Sequence, residues 1–397
     1  MSNRNRSPRW AVWTLTVGCA LAALPQLLQA EPAPPPTPAE QKRLELYLKP
    51  NAYFIEHLKN PPEFIDGNTL HPKIQHYQEQ RGRQQEAKDA DNAWWDLFLT
   101  PEKRKEARRA VDRTWTYRSK ITAPMAKVED RSVPGPGGSL PVRIYTPKTS
   151  QRGLLPVLVY YHGGGWVMGS IEAADRAVRL LANEAGVIAV SADYRMSPEY
   201  KLPVPQDDAQ AVFQWVQANA ASFGGDPTRV GVGGDSAGGQ LATVTSLRQW
   251  EDGKVVPAYQ LLYYPVVDMH YDYSSMHTFN NGYGLNKHFM DKMLELTLPK
   301  DVDLNDPHIS PIRAKDLSGL PPTIIITAGF DVLRDQGRAY ADRLKADGVP
   351  VIYRNYGSLT HGFMQHSGTI DDAERACVES AKLVGAGLRG KYQGGYY

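Results

Sequence analysis

The sequence predicts an α/β protein with a doubly wound, mostly parallel sheet of about eight strands. From about Val128 onward, short apolar runs alternate with stretches of helical pattern. Several of these runs are continuous and rich in β-branched residues, as is typical of strands buried on both faces of a parallel sheet. Strands that alternate with helices indicate crossover connections, and therefore a sheet covered by helices on both faces.

The predicted strands share this apolar character and the predicted helices lie between most of them. We expect strands at 140–147, 155–162, 186–194, 229–234, 258–265, 322–329 and 350–356. We expect helices at 173–183, 207–218 and 337–347. The alternation is interrupted at about 269–311, where an insertion with a short amphipathic helix is expected to fold over the edge of the sheet.

Residues 1–30 have the pattern of a secretory signal peptide. Arg4, Arg6 and Arg9 precede an uncharged stretch at 11–30, and a small residue, Ala30, stands before a proline-rich break. This arrangement predicts an exported protein, periplasmic or secreted, with cleavage after Ala30 and no stable membrane insertion after processing. An uncleaved anchor and lipid attachment at Cys19 are the alternatives.

Two further segments precede the expected catalytic domain at 123–397. Residues 31–40 are proline-rich and are expected to form an extended linker, because proline lacks the backbone N–H donor and restricts φ. Residues 41–122 have a polar, helical pattern, with a helix start expected at Pro101. Trp94 and Trp95 are expected to pack against another part of the protein rather than to face a substrate.

Composition and charge exclude several classes of function. The 45 basic and 43 acidic residues leave a net charge of +2, which gives no reason to expect nucleic acid or an anionic membrane as a partner. Of the two cysteines, Cys19 lies in the expected leader, so no internal disulfide is predicted. The sequence has no H-E-x-x-H motif, clustered His/Cys ligands or glycine-rich phosphate loop, so we expect no metal and no organic cofactor.

The motif Gly234-Asp235-Ser236-Ala237-Gly238 predicts a nucleophilic serine. It follows a predicted strand directly and precedes a helical stretch, as the G-x-S-x-G nucleophile elbow requires. The turn strains the serine, and its close contacts leave room only for glycine at the flanking positions. The alternative is a glycine-rich turn that holds an incidental serine.

The run His162-Gly163-Gly164-Gly165-Trp166 predicts an oxyanion-binding loop at the end of the strand expected at 155–162. Consecutive glycines allow backbone N–H groups to approach a ligand without interference from side chains. The expected donors are Gly164, Gly165 and Ala237, with Gly163 as a further possibility. His162 is expected to hydrogen-bond within the loop rather than to act in catalysis.

The base and the orienting acid are predicted from their order along the chain. In proteins that carry this nucleophile elbow, the acid and then the histidine follow the serine along the chain, each after a strand. His361 comes directly after the last predicted strand, and His366 is the fallback. Asp331 follows the preceding strand, while Asp335, one helical turn later, is expected to cap a helix or to pair with a nearby base.

Taken together, these motifs resemble those of the bacterial hormone-sensitive-lipase-like esterases. The motifs are H-G-G-G-W, G-D-S-A-G-G, F-D-x-L-R-D and H-G-F, in this order, and the stretch 191–199 is similar to that family's D-Y-R-x-x-P-E segment. The resemblance covers about two thirds of the chain. It implies an α/β-hydrolase fold with a helical cap formed by 41–122 and 269–311, and structural roles for Asp193 and Arg195.

The predicted function is hydrolysis of short- to medium-chain carboxylic esters by Ser236, His361 and Asp331 through an acyl-enzyme. The preference for these chain lengths rests on the family resemblance alone. Hydrolysis of an amide, lactone or carbamate by the same three residues is the alternative within enzymes. A ligand-binding protein on an inactive hydrolase fold is the alternative from another class. The expected partner is therefore a small-molecule ester.

Overall fold

The computed structural model describes residues 34–81 and 96–390. The expected leader at 1–30 and the pair Trp94–Trp95 lie outside the described residues. Among the described residues, no helix has both the length and the apolar character needed to cross a bilayer.

The centre of the fold is an eight-stranded sheet, as the sequence predicts. Its strands lie in the order β10-β9-β8-β7-β5-β6-β4-β3. The six strands β5 to β10 are parallel to one another, whereas β4 is antiparallel to both of its neighbours, β6 and β3. The strands are β3 (Lys127–Gly135), β4 (Gly138–Thr146), β5 (Leu155–Tyr161), β6 (Ile188–Ala192), β7 (Gly225–Asp235), β8 (Gln260–Tyr263), β9 (Thr323–Phe330) and β10 (Val351–Thr360).

Helices cover both faces of the sheet, so that most of its parallel strands are completely buried. The helices of the described residues are α1 (Pro38–Tyr47), α2 (Asn51–Glu56), α3 (Pro72–Arg81), α4 (Pro101–Arg118), α5 (Ile171–Ala185), α6 (Val204–Asn219), α7 (Ala237–Glu251), α8 (Ser274–Thr278), α9 (Lys287–Thr297), α10 (Arg334–Ala346) and α11 (Asp371–Leu388). One hydrophobic core contains residues of α6, α7 and α10, and the other contains residues of α5 and α11.

The strand β3 is absent from the sequence prediction for a physical reason. It forms the edge of the sheet, and of its nine residues only Val133 is buried. Its sequence, KVEDRSVPG, is therefore polar and contains Pro134, a residue that is tolerated on edge strands. An apolar pattern cannot reveal a strand with so little contact with the core.

The proline-rich linker is shorter than predicted, because α1 begins at Pro38. Proline is favoured at the first helical position, where its missing N–H has no intrahelical partner. Thr37 and Glu40 form a capping box in which each side chain accepts a hydrogen bond from the other's backbone N–H. The prediction of extended chain at 31–40 is therefore wrong for its last three residues.

A small hairpin interrupts the helices of the N-terminal region and was also missed. Strands β1 (Phe64–Ile65) and β2 (Asn68–Thr69) are antiparallel and joined by Asp66 and Gly67. Both turn residues have positive φ, 52° and 79°, which is the requirement for which Asp-Gly is preferred in two-residue hairpins. The Asp-Gly dipeptide was thus the available signal.

The N-terminal region and the insertion after β8 meet beside the glycine loop. A compact apolar cluster contains Phe98, Ala107 of α4, Val167, Met168 and Met293 of α9. Side chains from 96–118 and 287–297 therefore cover the loop that follows β5. This is the position at which the family resemblance implies a cap.

Candidate active site

Ser236 lies at the sharp turn between β7 and α7. Its backbone has φ 55° and ψ −115°, a region that L-residues rarely occupy. A Cβ atom at Gly238 would lie 1.9 Å from the carbonyl oxygen of Tyr161, and one at Gly234 would lie 2.4 Å from the backbone of Gly238. The glycines flanking the serine are therefore required by backbone contacts, as the sequence argument expects.

The structure brings Ser236, His361 and Asp331 together. His361 Nε2 lies 3.0 Å from Ser236 Oγ, and His361 Nδ1 lies 2.8 Å from Asp331 Oδ2. When the proton is on Nδ1, the imidazole donates to the carboxylate and accepts from the serine hydroxyl. This is the hydrogen-bond chain that nucleophilic catalysis by serine requires.

The sheet positions the three groups at the carboxyl ends of its parallel strands. Ser236 follows β7, Asp331 follows β9, and His361 follows β10, and these strands are parallel. Asp331 is almost completely buried, and its second carboxylate oxygen accepts a hydrogen bond of 2.9 Å from the backbone N–H of Leu333. Its orientation is therefore fixed by hydrogen bonds to both oxygens.

The two alternative residues lie elsewhere in the hydrogen-bond network. Asp335 accepts from the Ser275 backbone N–H at 2.8 Å and from Arg334 Nε at 2.8 Å. The expectation that Asp335 caps a helix or pairs with a nearby base is confirmed, since it binds both Arg334 and a backbone N–H at the start of α8. His366 is partly buried, and burial together with the nearby Arg118 charge lowers its pKa to about 3. Of the two histidines considered, His361 is the one that contacts the serine.

The glycine loop supplies fewer free donors than the sequence suggested. The backbone N–H of Gly163 donates to Asp235 Oδ1 at 2.8 Å. It is therefore engaged within the protein, and the inclusion of Gly163 among the oxyanion donors is wrong. Gly164 and Gly165 have positive φ values of 112° and 60°, and Ala237 is the first residue of α7, where backbone N–H groups have no intrahelical acceptor.

His162 stabilises this loop from within, as predicted. Its Nδ1 lies 2.8 Å from the carbonyl oxygen of Gly163, and its ring stacks on Tyr194 with centroids 4.4 Å apart. The Tyr194 hydroxyl donates to the carbonyl oxygen of His162 at 2.8 Å. Burial lowers the pKa of His162, which favours the neutral ring.

The cap closes one side of the site. A Cβ atom at Gly165 would lie 1.8 Å from the sulfur of Met293, so the thioether of α9 lies directly against this glycine. From α4, Arg108 donates to the carbonyl oxygen of Val167 at 2.8 Å and to that of Ser197 at 2.8 Å. The N-terminal region therefore holds the glycine loop by hydrogen bonds as well as by apolar contacts.

Three residues around the site, Asp235, Tyr264 and Gln365, were not singled out by the sequence argument. The carboxylate of Asp235 is buried beside the serine and accepts from Tyr160, Gly163 and Gln365. The ring of Tyr264 lies 4.7 Å from that of His361, between centroids, and Tyr264 itself has a positive φ of 34°. Asp235 lies within the serine motif and Gln365 four residues after His361, but neither spacing reveals that the two side chains meet.

No group of three or more His, Cys, Asp or Glu side chains within 34–81 and 96–390 is placed to hold a metal ion. The site offers the hydroxyl of Ser236, the imidazole of His361, the carboxylate of Asp331 and backbone amides. These groups can transfer an acyl group to the serine and then to water.

Comparison with known proteins gives a consistent family. A family model described as the alpha/beta hydrolase fold matches residues 158–365, which include the glycine loop and all three residues of the hydrogen-bond chain. The carboxylic ester hydrolase LipN of Mycobacterium tuberculosis is 44% identical over 243 residues, covering 60% of this chain and 64% of LipN. The ethyl acetate hydrolase of Pseudomonas putida is 33% identical over 244 residues, covering 61% of this chain and 77% of that protein.

A solved structure supports the same relationship. An ester hydrolase from the metagenome of Lake Arreo, complexed with a derivative of bipyridine phosphonate, is 38% identical and superimposes with a TM-score of 0.73. The match covers 80% of this chain and 98% of that structure. The chain therefore belongs to the α/β-hydrolase fold family and, as its motifs predict, to the hormone-sensitive-lipase-like esterases of that fold.

Proposed function

We propose that the protein hydrolyses short- to medium-chain carboxylic esters through a covalent acyl-enzyme on Ser236. The observation that carries this proposal is the hydrogen-bond chain from Asp331 Oδ2 through His361 to Ser236 Oγ, with distances of 2.8 and 3.0 Å. A serine hydroxyl is a weak nucleophile at neutral pH, and such a chain supplies the base that it needs.

In the first step, Ser236 Oγ attacks the ester carbonyl carbon while His361 Nε2 takes the hydroxyl proton. The negative charge that develops on the carbonyl oxygen is stabilised by backbone N–H groups of Gly164, Gly165 and Ala237. His361 then gives the proton to the departing alkoxide, the carbon–oxygen bond breaks, and the alcohol leaves. Asp331 keeps the proton on Nδ1 and stabilises the imidazolium.

In the second step, water replaces the alcohol. His361 removes a proton from the water as it attacks the acyl carbon, and the tetrahedral intermediate occupies the same donors. Its collapse returns the proton to Ser236 and releases the carboxylic acid. The reaction thus needs only groups of this chain and water.

The proposed size of the substrate rests on two observations. Met293 lies against Gly165 and limits the space beside the glycine loop. The relative in Pseudomonas putida is named for hydrolysis of ethyl acetate, a short ester. Both support small acyl and alcohol groups, and a series of p-nitrophenyl esters from acetate to palmitate measures the preference directly.

The test of the reaction is turnover of p-nitrophenyl acetate by wild type and by Ser236→Ala. The proposal predicts loss of activity in the variant with an unchanged thermal transition, because only the nucleophile is removed. Ser318→Ala, which changes an exposed serine, is the matched control for preparation and assay. Equal activity of Ser236→Ala and wild type would contradict the proposal.

We also propose that residues 1–30 direct export and are then removed. The support is the sequence pattern of three arginines, an uncharged stretch and Ala30 before a polar segment. The intact mass of the exported protein tests this. A mass that corresponds to residues 31–397 is expected, whereas retention of the N-terminal arginines or a lipid mass on Cys19 would contradict it.

A further inference from the structure

We propose that Asp235 is a positioning residue that fixes two loops relative to Ser236. These are the glycine loop, 162–166, and the turn that carries His361, 361–366, which we call the histidine loop. The Asp235 carboxylate accepts hydrogen bonds from both loops, from Gly163 in the first and from Gln365 in the second. We call Asp235 together with its three partners, Tyr160, Gly163 and Gln365, the Asp235 hub. The inference rests on the proposed ester hydrolysis and adds a residue to which that mechanism assigns no role.

The hub is a buried carboxylate with every oxygen engaged by a neutral donor. Asp235 is 3% exposed. Its Oδ1 accepts from the Tyr160 hydroxyl at 2.7 Å and from the Gly163 backbone N–H at 2.8 Å, and its Oδ2 accepts from Gln365 Nε2 at 2.9 Å. Burial, together with the Asp235 charge, raises the pKa of Tyr160, so this hydroxyl keeps its proton and remains a donor.

The first consequence concerns the oxyanion donors. Gly163 immediately precedes Gly164 and Gly165, and its peptide is anchored to the residue that precedes the nucleophile. The contact is close, since a Cβ atom at Gly163 would lie 2.5 Å from Asp235 Oδ2. The anchor therefore sets the distance between Ser236 and the N–H groups that follow it in the loop. Such donors act only when they are aimed at the developing charge.

The second consequence concerns the base. Gln365 lies in the short 3₁₀ helix Phe363–His366, which begins two residues after His361, and its side chain returns to Asp235. Gly362, between the histidine and this helix, has a positive φ of 74°, so the chain reverses direction there. The hydrogen bond from Gln365 thus ties the turn that carries His361 to the serine motif.

The geometry requires an acceptor at this position more than it requires a charge. In Asp235→Asn, the amide oxygen can still accept from Tyr160 and Gly163, and its NH₂ can donate to Gln365 after the glutamine amide rotates by half a turn. In Asp235→Ala, the buried N–H of Gly163 and the amide of Gln365 lose their acceptor. Unpaired buried donors are costly, so the two loops shift to find new partners.

The experiment compares Asp235→Ala and Asp235→Asn in p-nitrophenyl acetate turnover. For Asp235→Ala we expect kcat to fall roughly 30- to 300-fold while KM changes by less than about twofold, because misplaced donors affect the transition state most. For Asp235→Asn we expect kcat within about threefold of wild type. A purely structural role would lower the thermal transition of Asp235→Ala but leave kcat unchanged below it, which would overturn the proposal.

Two further variants keep the test decisive if Asp235→Ala does not fold. Gln365→Leu removes the link to the histidine loop, together with a longer contact of 3.5 Å from the Tyr264 hydroxyl, and leaves the bonds of Asp235 to Tyr160 and Gly163 in place. We expect kcat to fall about tenfold. Tyr263→Phe is the matched control, because it removes a buried hydrogen bond between the hydroxyls of Tyr263 and Ser380, outside the hub. Wild-type kcat in Gln365→Leu, or an equal loss in Tyr263→Phe, would contradict the inference.

Amide hydrogen exchange separates this inference from the proposed function. Asp235→Ala should exchange faster than wild type in segments 163–169 and 361–367, and Gln365→Leu only in the second. Asp235→Asn should match wild type in both segments. This result is independent of turnover, so a wild-type protein without esterase activity would refute the proposed function alone. Unchanged exchange in both segments of Asp235→Ala would refute the positioning role alone.

Discussion

At the scale of single residues, the two carboxylates after β9 have clearly different environments. Asp331 is buried and contacts the imidazole of His361, whereas Asp335 binds Arg334 and the backbone at the start of α8. The order of the motifs along the chain was sufficient to choose between them. It could not show that Gly163 is engaged by Asp235, because the direction of a backbone N–H depends on the folded loop.

Substitution of Asp331 tests its orienting role. Asp331→Asn should lower kcat by roughly 10³- to 10⁴-fold, because the amide no longer holds the proton on His361 Nδ1 and the reactive tautomer is lost. Steady-state kinetics with p-nitrophenyl acetate measure the effect. Asp335→Asn is the matched control and should change kcat far less. The opposite ranking would mean that the wrong carboxylate has been assigned.

At the scale of elements, the sequence predicted the buried parallel strands and missed the exposed ones. The strands β5 and β9 are completely buried, so their continuous apolar runs marked them almost to the residue. The edge strand β3 and the hairpin β1–β2 contribute few core contacts, and their patterns were correspondingly weak. Helix α4 begins at Pro101, as predicted, since Thr100 caps it and proline needs no donor there.

Helix α4 also carries a carboxyl group that titrates near neutrality. One carboxylate oxygen of Asp112 is buried with no hydrogen-bond partner among the described residues. Burial, the largest cause, and the charges of Asp193 and Glu172 together raise the pKa of Asp112 to about 7, against the opposing effects of a hydrogen bond with Ser170 and the charge of Arg108. The sequence could not indicate this, because Ser170, Glu172 and Asp193 lie on two segments distant from α4 in the chain.

This shift predicts how stability depends on pH. The pKa of Asp112 is higher in the folded protein than the ordinary 3.8, so its contribution to stability is present below about pH 4 and is lost as the pH rises through about 7. Asp112→Asn has no such proton to lose. Its free energy of unfolding relative to wild type should therefore increase by about 2–3 kcal/mol between pH 5 and pH 8.5.

Urea unfolding at the two pH values measures this difference. Asp342→Asn is the control, because Asp342 is exposed and paired with Arg338 on the surface of α10. Its difference from wild type should stay constant over the same window. A pH-independent difference for Asp112→Asn would show that its carboxyl does not change protonation between the folded and unfolded states in this range.

At the scale of the whole molecule, the cap connects distant parts of the chain to the site. Arg108 from α4 and Met293 from α9 contact the loop that follows β5, although about 185 residues separate them in sequence. The family resemblance predicted that these regions would form a cap. Which of their residues meet the glycine loop depends on helix packing, and no local pattern in the sequence encodes it.

Two truncations test which part of the N-terminal region the site needs. Removal of residues 1–30 should leave kcat/KM within about twofold of wild type, because these residues are the proposed export leader, which is absent from the mature protein. Removal of residues 1–118 should abolish activity, since it takes away Arg108 and its hydrogen bonds to the glycine loop. Turnover and thermal unfolding of both proteins measure this. Full activity of the shorter protein would contradict a role for α4.

Covalent labelling by a fluorophosphonate tests the central claim most directly, because the reagent reacts with a serine only when base and oxyanion donors are assembled around it. We predict a single adduct per chain, located on Ser236 by peptide mass spectrometry, and labelling that is strongly slowed in His361→Ala. An adduct on another residue, or equally fast labelling of wild type and His361→Ala, would contradict the account.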